Sequence, residues 1–374
     1  MRILHVVGAR PNFMKVAPLL RAMGRHPDIF QSFLVHTGQH YDPQLSDVFF
    51  EELGLPQPDI NLGVGSGTHT QQTASVMLRF EETLNQLKPD AVVVVGDVNS
   101  TLACALVCAK ERVPVAHVEA GLRSFDPGMP EEINRVLTDR ISDLLLTPSP
   151  DADENLRREG YPPERIVCVG NVMIDTLARL LPQAEKRWEA LRTRLGTRPY
   201  VFVTLHRPSN VDDPKNLSEI MDVLAEIAKR IAVVFPVHPR TRQSLRSAGI
   251  RPAPGVQLVE PLGYLDCVAA QRHSDFILTD SGGIQEESTY LGVPCLTLRP
   301  NTERPITITH GTNRLVPGAP RDLLHEANRL LDGDRPGPRC PPLWDGHAAE
   351  RIVEVLQSFL TGRRKPSENL ALQI

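Results

Sequence analysis

Short runs of Val, Ile and Leu, separated by amphipathic stretches, constrain this chain more than any other feature. RILHVV, SFLVHT, AVVVVGD, VPVAHVE, LLLTPS and IVCVGN occupy the first half; YVFVTLH, AVVFPVH, VQLVEPL, FILTD and VPCLTLR occupy the second. Near-continuous apolar strands of this kind suit parallel sheets covered by helices on both faces. The chain has 374 residues, which at about 150 residues per domain suggests two domains. The expected fold class is therefore α/β, with two Rossmann-like, doubly wound domains. In such sheets ligands bind beyond the carboxyl ends of the strands, so two of them facing across a cleft would hold a ligand there.

The boundary is expected in the charged helical stretch from Asp175 to Pro199. This gives an N-terminal domain over 1–174, a second over 175–345, and a final helix and tail over 346–374 packing back toward the first. The net charge is −4, from 41 basic and 45 acidic side chains that are intermixed. There is no basic field of the kind that non-specific nucleic-acid binding needs. The first apolar run is too short for a signal peptide or a membrane span, so the chain reads as cytoplasmic. Six cysteines show no CxxC pair or zinc spacing and read as core thiols, and the 12 histidines show no ligand spacing that implies a metal.

Polar residues at strand ends carry the chemical signal. GARPNFMK places Arg10 and Lys15 at a helix start, where free N–H groups and two cations suit an anionic oxygen; a plain turn with solvated charges is the alternative. Neither a GxGxxG fingerprint nor a GKS/GKT loop occurs, which argues against a bound nicotinamide and against an NTPase, and no cofactor is expected. Asp97 and Glu119 leave fully apolar strands, where an acid is costly unless solvated or paired. Asp97 has a second reading as the N-cap of the helix near Ser100. In PGMPEEINR, Glu131 and Glu132 open a helix, and Glu131 with Arg135 forms an i,i+4 pair that is structural when taken alone. With Asp97 and Glu119 it adds a third carboxylate.

In the second half His206 and Arg207 end one strand, and His238 and Arg240 the next. LTDSGGIQEE joins two demands: Ser281, Gly282 and Gly283 let a backbone approach an anion at a helix start, and Glu287 one turn later suits sugar hydroxyls. A nucleoside diphosphate needs both. Arg304 in NTERP is a candidate pyrophosphate clamp.

These blocks, GARPNFMK, GDVNST, HVEAGLRS, PEEINR, VTLHRP, PVHP, LTDSGGIQEE and TERP, occur in an order that resembles the non-hydrolysing UDP-N-acetylglucosamine 2-epimerases, from about Arg2 to about Asn313. The resemblance implies a GT-B type fold, usually a homodimer, interconverting UDP-GlcNAc and UDP-ManNAc without a bound redox cofactor. It implies that Asp97, Glu119, Glu131 and His206 form the catalytic group. Arg10, Ser281, Gly282, Gly283, Glu287 and Arg304 match the UDP-binding set, and Lys15, Arg135 and His238 join them as candidate substrate contacts.

The expected route breaks C1–O, loses the C2 proton to give 2-acetamidoglucal, and reverses on the other face. Which acid serves which face is left open. The chain departs from the family where Asn12 follows Gly8-Ala9-Arg10-Pro11 and where Pro208-Ser209 follows His206-Arg207. Gln39, Gln72, Arg207 and His238 remain of an effector pocket that lacks an arginine at Gln71-Gln72-Thr73, which argues against strong substrate activation. Epimerisation of a 2,3-diacetamido uronic acid, sugar transfer, sugar sensing and a hydrolysing reaction are the competing readings.

Overall fold

The computed structural model describes residues 1–38, 52–196, 199–337 and 339–363. Among these residues thirteen strands form two sheets, and every strand pairing is parallel. The first sheet contains β1 (Arg2–Val7), β2 (Gln31–His36), β3 (Ile60–Asn61), β4 (Ala91–Val95), β5 (Val115–Val118), β6 (Leu144–Thr147) and β7 (Ile166–Cys168), in the order β3-β2-β1-β4-β5-β6-β7. The second contains β8 (Tyr200–Thr204), β9 (Ala232–Pro236), β10 (Val256–Val259), β11 (Phe276–Thr279), β12 (Cys295–Thr297) and β13 (Asn313–Leu315), in the order β10-β9-β8-β11-β12-β13. Both start at a central strand, wind outward, and then return to wind the other way. The switch points fall between β1 and β4 and between β8 and β11, where doubly wound folds bind ligands.

The sequence makes these strands because it leaves them no polar face. All five residues of β4 and all four of β5 are buried, so both sides must meet helices. Val92 and Val94 belong to one core with Phe80, Ala103 and Cys104. In the second sheet Val201, Val203 and Phe235 share a core with Leu217, Leu224 and Leu323. Strands β3 and β13 escaped the sequence reading because IN and NRL are too short and polar to stand out.

The chain divides into two compact units. One is Met1–Thr176 joined by the chain from Pro342 onward, and the other is Leu177–Pro341, so the division falls inside the helix Val172–Leu195. In the first unit the indole of Trp344 donates to the Pro148 carbonyl at 3.0 Å. Asp175 accepts the amides of Ala348 (3.0 Å) and Ala349 (2.7 Å), capping the helix Ala348–Arg363. The expectation of core thiols needs correction: Cys104, Cys108 and Cys295 are buried, Cys168 and Cys267 are partly exposed, and Cys340 is exposed. Among the described residues no helix is long and apolar enough to cross a membrane.

Candidate active site

At the switch point of the first sheet the chain leaves β4 through Gly96, whose φ is +67°. A Cβ on Gly96 would stand 2.8 Å from Lys15 Nζ and 3.2 Å from a Glu119 carboxylate oxygen, so glycine is what allows the turn to run this close. The β4–β5 register pairs Val95 with Val118, which sets Gly96 beside Glu119 with Asp97 one residue on. Glu119 is buried and ion-paired with Lys15. Its own φ is +75°. A non-glycine residue in that region is strained, and such strain clusters where function demands it.

Asp97, about a quarter exposed, pairs with Arg135 from the helix Pro130–Ile141. The same helix braces both turns: Asn134 Nδ2 donates to the Asp97 carbonyl at 2.9 Å, and Glu132 accepts from Arg135 at 2.5 Å. Glu132 also accepts from the Ser124 amide, the Ser124 hydroxyl and the Phe125 amide, each at 2.9 Å. A buried carboxylate is tolerable when donors surround it in this way.

Several expectations are revised here. The helix after β4 is Asn99–Glu111 with Val98 at its N-cap, so Asp97 is not a cap. The partner of Arg135 on its own helix is Glu132, three residues back, and not Glu131, which is exposed in the first turn. The amides of Gly8 and Ala9 are not an open anion cradle: Asn12 Oδ1 accepts both, at 3.0 and 3.1 Å, and its Nδ2 donates to the Val95 carbonyl at 3.0 Å. Asn12, a departure from the resembled family, thus ties the β1 exit to the β4 exit. Lys15 serves Glu119. The side chain of Arg10, and Gln39, lie outside the described residues. Gln72 accepts from Asn99 Nδ2 at 2.9 Å.

In the second unit the switch point carries an acid–imidazole pair. His206 Nδ1 lies 3.0 Å from Asp280 Oδ1. Asp280 is fully buried and also accepts the amides of His206 (3.0 Å) and Arg207 (2.9 Å) and the Asn210 side chain (3.0 Å). Burial pushes the Asp280 carboxyl up, but these donors outweigh it and hold it below the usual range. An ionised Asp280 only accepts, so His206 donates through Nδ1 and turns Nε2 to other partners. His238 stands with its ring centroid 6.1 Å from that of His206.

After β11, Ser281 takes the N-cap position of the helix Gly282–Leu291 without making a side-chain cap bond. Gly283 is the helix's second residue. A Cβ on Gly282 would lie 2.8 Å from Arg304 NH1, so the glycine admits the guanidinium to the helix start. Arg304 Nε is 2.8 Å from Glu286. Arg207 stands 3.7 Å from Glu303, which also accepts from Arg299 at 2.7 Å. Glu287 is buried, accepts from Gln271 at 2.7 Å, and is pushed up by that burial to about 7.

Residues 21–357 match the protein family described as UDP-N-acetylglucosamine 2-epimerase. A protein of Methanocaldococcus jannaschii named UDP-N-acetylglucosamine 2-epimerase is 42% identical over 95% of this chain and 99% of its own length. The chain belongs to the UDP-N-acetylglucosamine 2-epimerase family. A crystal structure of the M. jannaschii UDP-GlcNAc 2-epimerase in complex with UDP-GlcNAc and UDP matches this 2-epimerase family member with a TM-score of 0.87 and 41% identity, covering 96% of this chain and 100% of that one. A Pseudomonas aeruginosa relative, named UDP-2,3-diacetamido-2,3-dideoxy-D-glucuronate 2-epimerase, is also 42% identical, over 95% of this chain and 99% of its own. The expected fold class, two Rossmann-like units of the GT-B type, holds.

Against this 2-epimerase background, sequence reasoning overlooked two carboxylates. Asp280 leaves an apolar strand as Asp97 does, and the same rule about acids at strand exits would have found it. Glu132 was read as a dipole-complementing acid; no signal in the sequence distinguishes it from Glu131.

Proposed function

We propose that this chain interconverts UDP-GlcNAc and UDP-ManNAc by eliminating UDP and adding it back. The observation that carries the reading is the pair of acids at adjacent strand ends, Asp97 and Glu119, each matched to a cation. Inversion at C2 needs proton exchange on both faces of the sugar, hence more than one acid/base group, whereas a sugar transferase needs one base for its acceptor. Glu131 is the third member of the set.

The C1–O bond breaks with its electron pair passing to UDP, and the C2 proton passes to a carboxylate, leaving 2-acetamidoglucal. Protonation of C2 on the other face and return of UDP to C1 complete the exchange. Ser281, Gly282, Gly283, Arg304 and Arg10 are assigned to the departing pyrophosphate, where amides and guanidinium groups stabilise developing charge. Glu287 is assigned to the ribose and His206, oriented by Asp280, to the phosphate or the transferred proton. Lys15 and Arg135 set the acids, and His238 flanks His206. Gln39, Gln72, Arg207 and His238 are assigned to a weak effector site.

Proton NMR of UDP-GlcNAc with the protein in heavy water tests the reading. Deuterium should enter at C2 as the second epimer appears. Equal identity to the diacetamido-uronate relative keeps that sugar as the second substrate to try. Loss of UDP as the free end product, transfer to an acceptor, or an inert mixture with both sugars would overturn it.

The protein acts as a homodimer in this reading. Ile133 and Leu137, one turn apart on the helix Pro130–Ile141, and Phe125 before it are exposed apolar residues that a second copy would cover. Ile133→Asp with Leu137→Asp should therefore sediment as a monomer while the wild type sediments as a dimer; a monomeric wild type would refute this. Cys104, Cys108, Cys168 and Cys295 are free thiols, which supports a reducing, cytoplasmic location.

A further inference from the structure

Behind the two acids of the first unit lies a buried ion pair that the mechanism above does not use. His117, on β5, and Asp139, on the helix Pro130–Ile141, are both fully buried. His117 Nδ1 is 2.6 Å from Asp139 Oδ1, and its Nε2 is 2.8 Å from the carbonyl oxygen of Gly96. Asp139 Oδ2 accepts the Gly121 amide at 3.1 Å and Arg123 NH1 at 2.7 Å, and Arg123 in turn forks onto Glu159 with two bonds of 2.7 Å.

The protonation state follows from the geometry. Asp139 Oδ2 already takes two donors, the Arg123 guanidinium and the Gly121 amide, so the carboxylate is ionised and accepts from His117 and does not donate. A carbonyl oxygen also only accepts. Both ring nitrogens of His117 therefore carry protons, since a neutral ring would set a bare nitrogen against an acceptor at one end.

The placement gives this pair a purpose. Gly96 is the residue before Asp97, and Gly121 is the second residue after Glu119. One carboxylate thus fixes both turns, directly at Gly121 and through the ring at Gly96. Burying an ion pair is poor value for stability compared with apolar packing, whereas holding two reacting groups to within a fraction of an ångström is worth orders of magnitude in rate.

We propose that His117 and Asp139 are positioning residues for C2 epimerisation, the doubly protonated ring fixing the Gly96–Asp97 peptide while its partner fixes the turn after Glu119. This rests on the function proposed above. Gln in place of His reproduces the Nε2 donor, and Asn reproduces the Nδ1 donor. His117→Gln keeps the link to Gly96 and should retain turnover within about tenfold, while His117→Asn loses that link and should lower kcat about 100-fold. KM for the UDP-sugar and the Kd for UDP should stay within about twofold in both variants, because neither ring link reaches the residues assigned to the nucleotide.

Independently of turnover, nitrogen-15 NMR of the wild-type imidazole at neutral pH should show protons on both nitrogens of one histidine that is absent from the His117→Asn spectrum. Equal losses in the two variants, a fall that only follows melting temperature, or a singly protonated ring would each overturn the proposal. A wild type that epimerises neither sugar would instead defeat the functional reading, and the NMR result would still decide the ring's state.

Discussion

Glu119→Gln should lower the rate of C2 deuterium exchange by about 10²- to 10⁴-fold, the range that a positioned acid or base supplies. The substitution keeps the side chain's shape but removes its capacity to take or give the sugar's proton. It also leaves Lys15, which is buried against Glu119, without a counter-charge. The variant must therefore be judged beside Lys15→Met/Glu119→Gln, where that imbalance is gone. If exchange stays lost in the double variant while melting temperature recovers, the loss belongs to the proton-transfer step. Asp97→Asn should fall in the same range. It retains one oxygen for Arg135, so its fold should suffer less. UDP binding should be unaffected in all three. Exchange above a tenth of the wild-type rate in folded Glu119→Gln would remove Glu119 from the chemistry.

Glu287→Gln should move stability and binding in opposite directions. Burial raises the Glu287 carboxyl from 4.5 to about 7. A group whose folded-state value is raised favours folding while it is protonated. That contribution is complete below its unfolded value of 4.5 and is lost as pH rises through about 7. Near pH 8, at about one unit above that value, the wild type holds a buried carboxylate at a cost that the neutral amide avoids. The variant should therefore melt at a higher temperature than the ligand-free wild type there, and the difference should vanish in acid.

Binding has the other sign. Only the ionised carboxylate is a pure acceptor for ribose hydroxyls, so wild-type affinity for UDP should strengthen relative to the variant as pH rises through about 7. At the alkaline end the variant should bind about 10- to 100-fold more weakly, the value of a charged hydrogen bond or two. Calorimetric titration across that interval, read as the difference between the two proteins, is the measurement. A difference independent of pH would mean that Glu287 does not meet the ligand through its charge.

The sequence disclosed architecture better than it disclosed partnerships. Uninterrupted apolar runs such as AVVVV have one solution, a strand covered on both sides, so two doubly wound halves were legible. Residues at strand exits were legible too, because an acid following such a run needs a reason. Pairings were not. Arg135 chooses Glu132 over Glu131 because Glu132 faces Ser124 and Phe125 across the loop after β5, a relation that helical spacing does not contain. Lys15 reads as a phosphate ligand until the β4–β5 register brings Glu119 to it. Asn12 reads as a deviation from a family pattern until its amide is seen joining two strand exits.

The first unit also has a peculiar birth order. It is built from two stretches on either side of the other unit, and its closing helix is anchored by Asp175 and Trp344 only after every residue of that other unit has been made. On a ribosome the residues before Leu177 must wait, the face of the helix Arg10–Gly24 that the closing helix covers left bare, while the uninterrupted second unit has all it needs to mature. A nascent chain stalled before Trp344 should thus offer chaperones an unfinished amino-terminal half beside a finished neighbour.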